Sequence, residues 1–247
     1  MSDLAGHDIA RVRADNPSPY TLDGTNTWVI GRDPAWVVDP GPALDEHLDA
    51  IAQEVERRAG AGGIALTHDH ADHVEGVEAL RERMGAVPVA AARYDGDIAL
   101  ADGDEFGQLR ALAIPGHADD HLAFVSAGAA FTGDSVLGHG SVFVTGRLRE
   151  YLAALERLRA LDLDLLCPGH GPPVGDPAAK LTEYIEHRLE RERKLLAALD
   201  SGLRDRDELL DAAWSDAPAA LRGAAGMTLD AHLAKLREEG RLPAGVE

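Results

Sequence analysis

Thr67-His68-Asp69-His70-Ala71-Asp72-His73 gathers three imidazoles and two carboxylates at the predicted end of a short apolar strand, Ile64 to Leu66. Imidazole and carboxylate are ligands that zinc, iron and manganese accept. A strand that delivers such a cluster into a loop gives the side chains reach toward a common point. His68 and His70 are spaced as alternating strand residues, so both can converge on one ion. Asp72 and His73 lie past the bend, where they can face a second ion.

The chain repeats this arrangement further along. His117 in Pro115-Gly116-His117, Asp134 in Thr132-Gly133-Asp134 and His170 in Pro168-Gly169-His170-Gly171 each follow a short apolar run: Leu109 to Ile114, Ala129 to Phe131 and Leu163 to Cys167. Strands that present their carboxyl ends to one edge would collect these residues on a single rim. Five of the 11 histidines occupy such positions, which a polar turn rich in histidine by composition alone does not explain.

The pattern His-x-His-x-Asp-His, with the later residues in the same order, resembles the metallo-β-lactamase superfamily over nearly the whole chain. Thr21-Leu22-x-Gly24-Thr25-Asn26-Thr27, Pro115-Gly116-His117-x-x-Asp120-His121 and Leu137-Gly138-x-Gly140 are similar to the branch that holds β-lactamase-like protein 2, near glyoxalase II. Two departures stand out, Ala118 where that branch usually has Thr and Glu75-Gly76 where Gly-Gly is common, and neither is a ligand position.

The resemblance implies an α/β fold, the superfamily's four-layer αβ/βα sandwich, with metals at one edge. It implies His68, His70 and His117 on one divalent ion, Asp72, His73 and His170 on a second, and Asp134 bridging them. Zinc is the expected metal, with manganese and iron as alternatives, since ligand softness does not separate them. In such a dinuclear site a bridging hydroxide, available because metal lowers the pKa of water from about 15.7 to roughly 7, is the nucleophile. Asp72 and Asp134 are then the catalytic carboxylates, Asp72 orienting the attacking water. Asp69, Asp120 and His121 are near enough in sequence to steady the ligands.

Bulk properties narrow the function. The 247 residues, 45% hydrophobic, suffice for a sizeable core. The net charge of −19 repels polyanions, so nucleic acid is a disfavoured partner. A single Cys excludes an internal disulfide, Met1 to Arg13 lacks the apolar core of a signal peptide, and no run is long enough to span a bilayer. A cytoplasmic protein is the expectation. The expected activity is hydrolysis of an ester, thioester or lactone of a small acyl substrate. The alternatives are a metal-dependent single-strand endoribonuclease, which rests on the resemblance, and a non-catalytic metal-binding protein.

From the start of the chain, Thr27 to Ile30 and Ala35 to Val38 read as a β-hairpin, with Asp39-Pro40-Gly41-Pro42 stopping the second strand. Leu44, Leu48, Ile51, Val55 and Ala59 recur at helical spacing before Gly60 to Gly63 ends the helix. Val77, Leu80 and Met84 predict a second helix, Val87 to Ala90 a strand, and Asp95 to Glu105 an acidic turn region. Leu109 to Thr132 is strand-like, and Leu148, Leu152, Leu155 and Leu158 form a helical stripe.

Residues 1–175 are thus expected to form the catalytic domain and 176–247 a small helical, winged-helix-like domain. Pro177 opens a long charged helix ending at Ser201-Gly202, and Thr228 is the expected N-cap of a last helix stopped by Gly240. Leu203 to Glu247 holds six basic residues against nine acidic ones, the wrong balance for phosphate contacts. The long helix, with His187 and Arg188, is the expected wall of a substrate cleft. Cys167 reads as a packing residue, His139 as either a substrate contact from the rim or an exposed loop residue, and His7, His47 and His232 as solvated.

Overall fold

The computed structural model describes residues 3–4, 6–93 and 96–246; Met1, Asp95 and Glu247, which bound stretches named above, lie outside them. The first sheet runs in chain order through β1 (Asp3–Leu4), β2 (Ile9–Arg13), β3 (Asn26–Ile30), β4 (Ala35–Val38), β5 (Ala61–Ala65), β6 (Val89–Ala91) and β7 (Ile98–Ala99). Pairing is antiparallel as far as β4 and parallel from there on. The parallel connections carry α1 (Asp45–Arg57), α2 (Ala71–Val74) and α3 (Val77–Met84). The second sheet is β8 (Glu105–Phe106), β9 (Leu109–Ala113), β10 (Leu122–Ser126) and β11 (Ala129–Gly133), with β12 (Leu165–Pro168) joining β11 in parallel after α4 (Leu148–Arg159).

Strand alternation sorts the side chains into layers. Trp28 and Ile30 point inward and meet Phe124, Phe131 and Cys167 of the second sheet, while Val29 points outward onto Leu48, Ile51 and Val55 of α1. The outer face of the second sheet, Leu112, Ala123 and Leu166, is covered by Leu148, Tyr151, Leu155 and Leu158 of α4. This is the expected αβ/βα sandwich.

The glycine run is not the helix stop that its composition suggests. Only Gly60 lies in that turn, and Ala61, Gly62 and Gly63 already belong to β5. A Cβ at Gly63 would lie 2.5 Å from Phe106 Cζ, and one at Gly62 would lie 2.8 Å from Trp36 Cζ2. The edge-on pair Trp36–Phe106, with ring centroids 4.7 Å apart, occupies the space that side chains there would need.

Beyond the sandwich, α5 (Pro177–Asp200) starts at Asp176, whose Oδ1 accepts the Ala179 N–H at 3.0 Å. Its first half, Leu181, Tyr184 and Ile185, packs with α4. Its second half, Leu195 and Leu199, builds another core with α6 (Arg206–Ala213) and α7 (Arg222–Glu238). No β-strand occurs among the described residues of 177–246, so these helices carry no wing. Thr228 is no N-cap: it lies inside α7, where its hydroxyl donates to Ala224 O and accepts the Val144 N–H, both at 3.1 Å. None of the described helices is long and apolar enough to cross a membrane.

Candidate metal centre

The carboxyl ends of β4, β5, β9, β11 and β12 meet at one edge of the sandwich, and all seven predicted ligands gather there. Their donor atoms fall into three overlapping groups, His68–His70–His117, His68–His73–Asp134 and Asp72–His73–His170, each within 4.8 Å.

Four of the imidazoles are held by the nitrogen that faces away from the cluster. His73 Nδ1 donates to Asp39 Oδ2 at 2.9 Å, His170 Nδ1 to Gly24 O at 3.2 Å, and His117 Nδ1 to Phe143 O at 3.3 Å. The Thr67 hydroxyl spends its hydrogen on Asp39 Oδ2, so it accepts from His68 Nδ1 at 3.0 Å. These bonds fix tautomers that leave an Nε2 lone pair turned inward on each ring. His68 Nε2, His73 Nε2 and Asp134 Oδ1 are buried there without a hydrogen-bond partner, and His117 Nε2 faces His70 Nδ1 at 3.1 Å. Buried acceptors converging without donors are costly unless a cation or proton lies among them. The donor set therefore fits divalent metal ions.

Asp134 occupies the centre. Its Oδ1 lies 3.2 Å from His170 Nε2 and 3.5 Å from His73 Nε2, while Oδ2 lies 3.7 Å from His117 Nε2. Burial raises the Asp134 carboxyl, but the His73 and His170 charges outweigh it and hold the group well below its usual range. Asp72 balances the same way: burial raises it, the His170 hydrogen bond lowers it further, and it rests at about 2. Burial opposes a charge on His170, yet Asp134 lifts it to about 9. Carboxylates that favour a proton at that Nε2 equally favour a metal cation in its place. Burial, followed by the neighbouring His73 charge, pushes His68 well below the ordinary imidazole value, and burial brings His117 to about 4.

Three further residues position the ligands, and the sequence marks only two of them, Thr25 and Asn26, as part of a family-like stretch without a role. Asp39, which reads there only as a strand stop, is 1% exposed and also accepts the Thr67 N–H at 2.8 Å. Thr25 Oγ1 donates to Asp72 Oδ2 at 3.1 Å. Asn26 Nδ2 donates to Pro168 O at 2.9 Å and Gly171 O at 2.8 Å, pinning the turn that carries His170. An acidic residue directly after a strand, and polar residues opening a buried one, are the signals that could have found them.

Of the expected helpers, His121 accepts the Asp134 N–H at 3.1 Å and stacks on His68, whereas Asp69 is exposed. Asp120 is buried, and burial together with Asp69 raises its carboxyl. His47 and His232 are corrections: they are 5% and 0% exposed, because the inward faces of α1 and α7 include them. His7 is half-buried, with Nδ1 3.0 Å from Ala127 O. Glu75 is exposed, so that departure from the family pattern falls outside the cluster.

A cavity of about 530 Å³ opens onto His70, Asp72, His117, Asp134 and His170. Its lining includes His187 and Arg188 of α5, the helix expected there, and exposed His139.

Residues 20–112 match the family described as the metallo-beta-lactamase superfamily. A beta-lactamase-like protein 2 homolog of Drosophila melanogaster is 31% identical over 95% of this chain and 89% of its own length. The chain belongs to the metallo-β-lactamase superfamily. A metallo-beta-lactamase family protein from Thermus thermophilus superposes with a TM-score of 0.70 at 25% identity, covering 94% of each chain. An atrochrysone carboxyl ACP thioesterase of Aspergillus chevalieri is 36% identical over 77% of this chain and 65% of its own. Such relatives are consistent with a hydrolase.

Proposed function

We propose that the chain is a dinuclear metal-dependent hydrolase of an ester, thioester or lactone of a small acyl compound. One observation carries this reading: the two oxygens of Asp134 face different nitrogen sets, Oδ1 toward His73 and His170, Oδ2 toward His117. In it, His68, His70 and His117 hold one divalent ion, Asp72, His73 and His170 hold the other, and Asp134 spans both. Zinc is the proposed metal, with manganese and iron as alternatives for the same donors.

Bound ions of this kind lower the pKa of water from about 15.7 to about 7 and polarise a carbonyl oxygen. The chain's own part is to fix geometry before reaction. The Nδ1 bonds to Asp39, Gly24, Phe143 and Thr67 hold four rings in the ligating orientation. In this reading Asp72, ionised at neutral pH and anchored by Thr25, orients a water molecule. Leu22, Leu137, Phe143 and Trp214 give the cavity apolar lining. Cys167 is buried between the sheets, where burial raises its thiol well above the ordinary value, so it is no alternative nucleophile.

The apolar lining and the net charge of −19 support an acyl compound over a polyanion, and the thioesterase relative points the same way. Parallel assays on one preparation test the choice. The expected result is metal-dependent hydrolysis of p-nitrophenyl acetate, an acyl thioester or a lactone, lost on chelation and in His68→Ala, beside little cleavage of single-stranded RNA. Efficient RNA cleavage that the same variant abolishes, with negligible acyl hydrolysis, overturns the proposal in favour of a ribonuclease.

A further inference from the structure

Arg188 lines the metal-facing cavity with no counter-charge among the described residues. It is 2% exposed. Its Nη2 donates to Ser141 Oγ at 2.8 Å and to Val142 O, and the Tyr151 hydroxyl is a third neutral partner. Nε is buried with no partner at all. Among the described residues no carboxylate lies within ion-pair distance of it, and the Tyr151 and Tyr184 phenols and the like-charged Arg191 are near enough to act on its charge. Burial raises both phenols, Tyr151 to about 12, so neither supplies negative charge.

The surroundings sharpen the imbalance. Arg191 has its own carboxylate, Asp216, at 2.6 Å. His187, whose Nδ1 lies 3.2 Å from Ser141 Oγ, is brought to about 4 by burial and then by Arg188 and Arg191, and is neutral at pH 7. In a chain of net charge −19, one end of the cavity thus carries a buried, uncompensated cation. Burying a guanidinium this way costs stability that hydrogen bonds to neutral acceptors only partly offset. A planar guanidinium with an unused donor matches the oxygens of a carboxylate or phosphate.

We infer that Arg188 recognises an anionic group, a carboxylate or a phosphate, carried by the acyl substrate away from its scissile bond. The inference rests on the hydrolase reading and narrows its substrate class: the apolar walls take the acyl chain, and Arg188 takes the charge. The anion has two sources, the far end of the acyl chain or the thiol that carries it.

Two pairs of thioesters separate these sources. The first is glutaryl-N-acetylcysteamine against its methyl ester, and the second is butyryl-4′-phosphopantetheine against butyryl-pantetheine. In the metal-loaded wild type, one pair is expected to favour its anionic member in kcat/KM by about tenfold or more, the worth of one charge-assisted hydrogen bond. Arg188→Gln should bring that ratio close to one, and Arg188→Lys should keep part of it. If Arg188→Gln fails to fold, the wild-type and Arg188→Lys ratios decide. No preference in either wild-type pair, or a preference unchanged in the variants, overturns the inference while leaving the hydrolase in place. Absence of turnover with all four removes thioesters from the hydrolase reading and overturns this inference with them, while p-nitrophenyl acetate and lactone hydrolysis still test the hydrolase itself.

Discussion

Asp39 and His73 form a buried carboxylate–imidazole pair, Oδ2 to Nδ1 at 2.9 Å, with side chains 2% and 0% exposed. The same carboxylate holds Thr67, so one residue at the end of β4 orients the loop that follows β5. Asp39→Ala should therefore weaken metal binding by about 10- to 100-fold, as loss of an outer partner of a ligating histidine does elsewhere. Competition with a chromogenic chelator measures it. Wild-type affinity in the variant would show that His73 keeps its orientation without Asp39.

Asp134→Ala removes the carboxylate that faces both nitrogen sets. Metal content should fall from close to two ions per chain to one or fewer, and acyl hydrolysis should fall with it by more than about a hundredfold. Elemental analysis beside a rate measurement reads both. Two retained ions, or full activity, would rule out the bridging role.

Gly169 lies directly against the cluster. A Cβ built there stands 2.6 Å from Asp134 Oδ1 and 2.7 Å from His73 Cε1. Gly169→Ala should displace one or both side chains and lower metal occupancy, while circular dichroism of the metal-free protein stays as in the wild type. The site rather than the core would then bear the substitution, because the intruding methyl points at donor atoms. Normal occupancy would mean that the loop absorbs it.

Much of this was legible in the chain. Ligand residues that each follow an apolar run announced strands ending on a common rim, and the seven side chains do converge. What failed to show was whatever depends on a partner far away in sequence. Asp39 reads as a turn residue until Thr67 and His73 are brought to it. Gly62 and Gly63 look like helix-stopping residues because the Trp36–Phe106 pair that requires them is assembled from two other segments. His47 neighbours Leu48 on α1 and reads as solvated, yet it reaches Thr27 Oγ1 at 2.9 Å beneath the turn after β4. Periodicity finds a helix face but not its full width.

That burial of His47 gives a pH dependence with a definite sign. Burial holds its imidazole at about 4, below the ordinary 6.5. Between these values the unfolded chain binds a proton that the folded chain refuses, so stability is complete above about pH 6.5 and is lost as pH falls through the window. At about 1.4 kcal/mol per unit, the loss from His47 alone approaches about 3 kcal/mol near pH 4. His68, His117, His187 and His232, all lowered by burial, add in the same direction. Denaturant unfolding of metal-free protein between about pH 4.5 and 7 should show the decline, and His47→Gln should make it shallower by the share of one proton while lowering stability at neutral pH. A variant as steep as the wild type would place the proton uptake elsewhere.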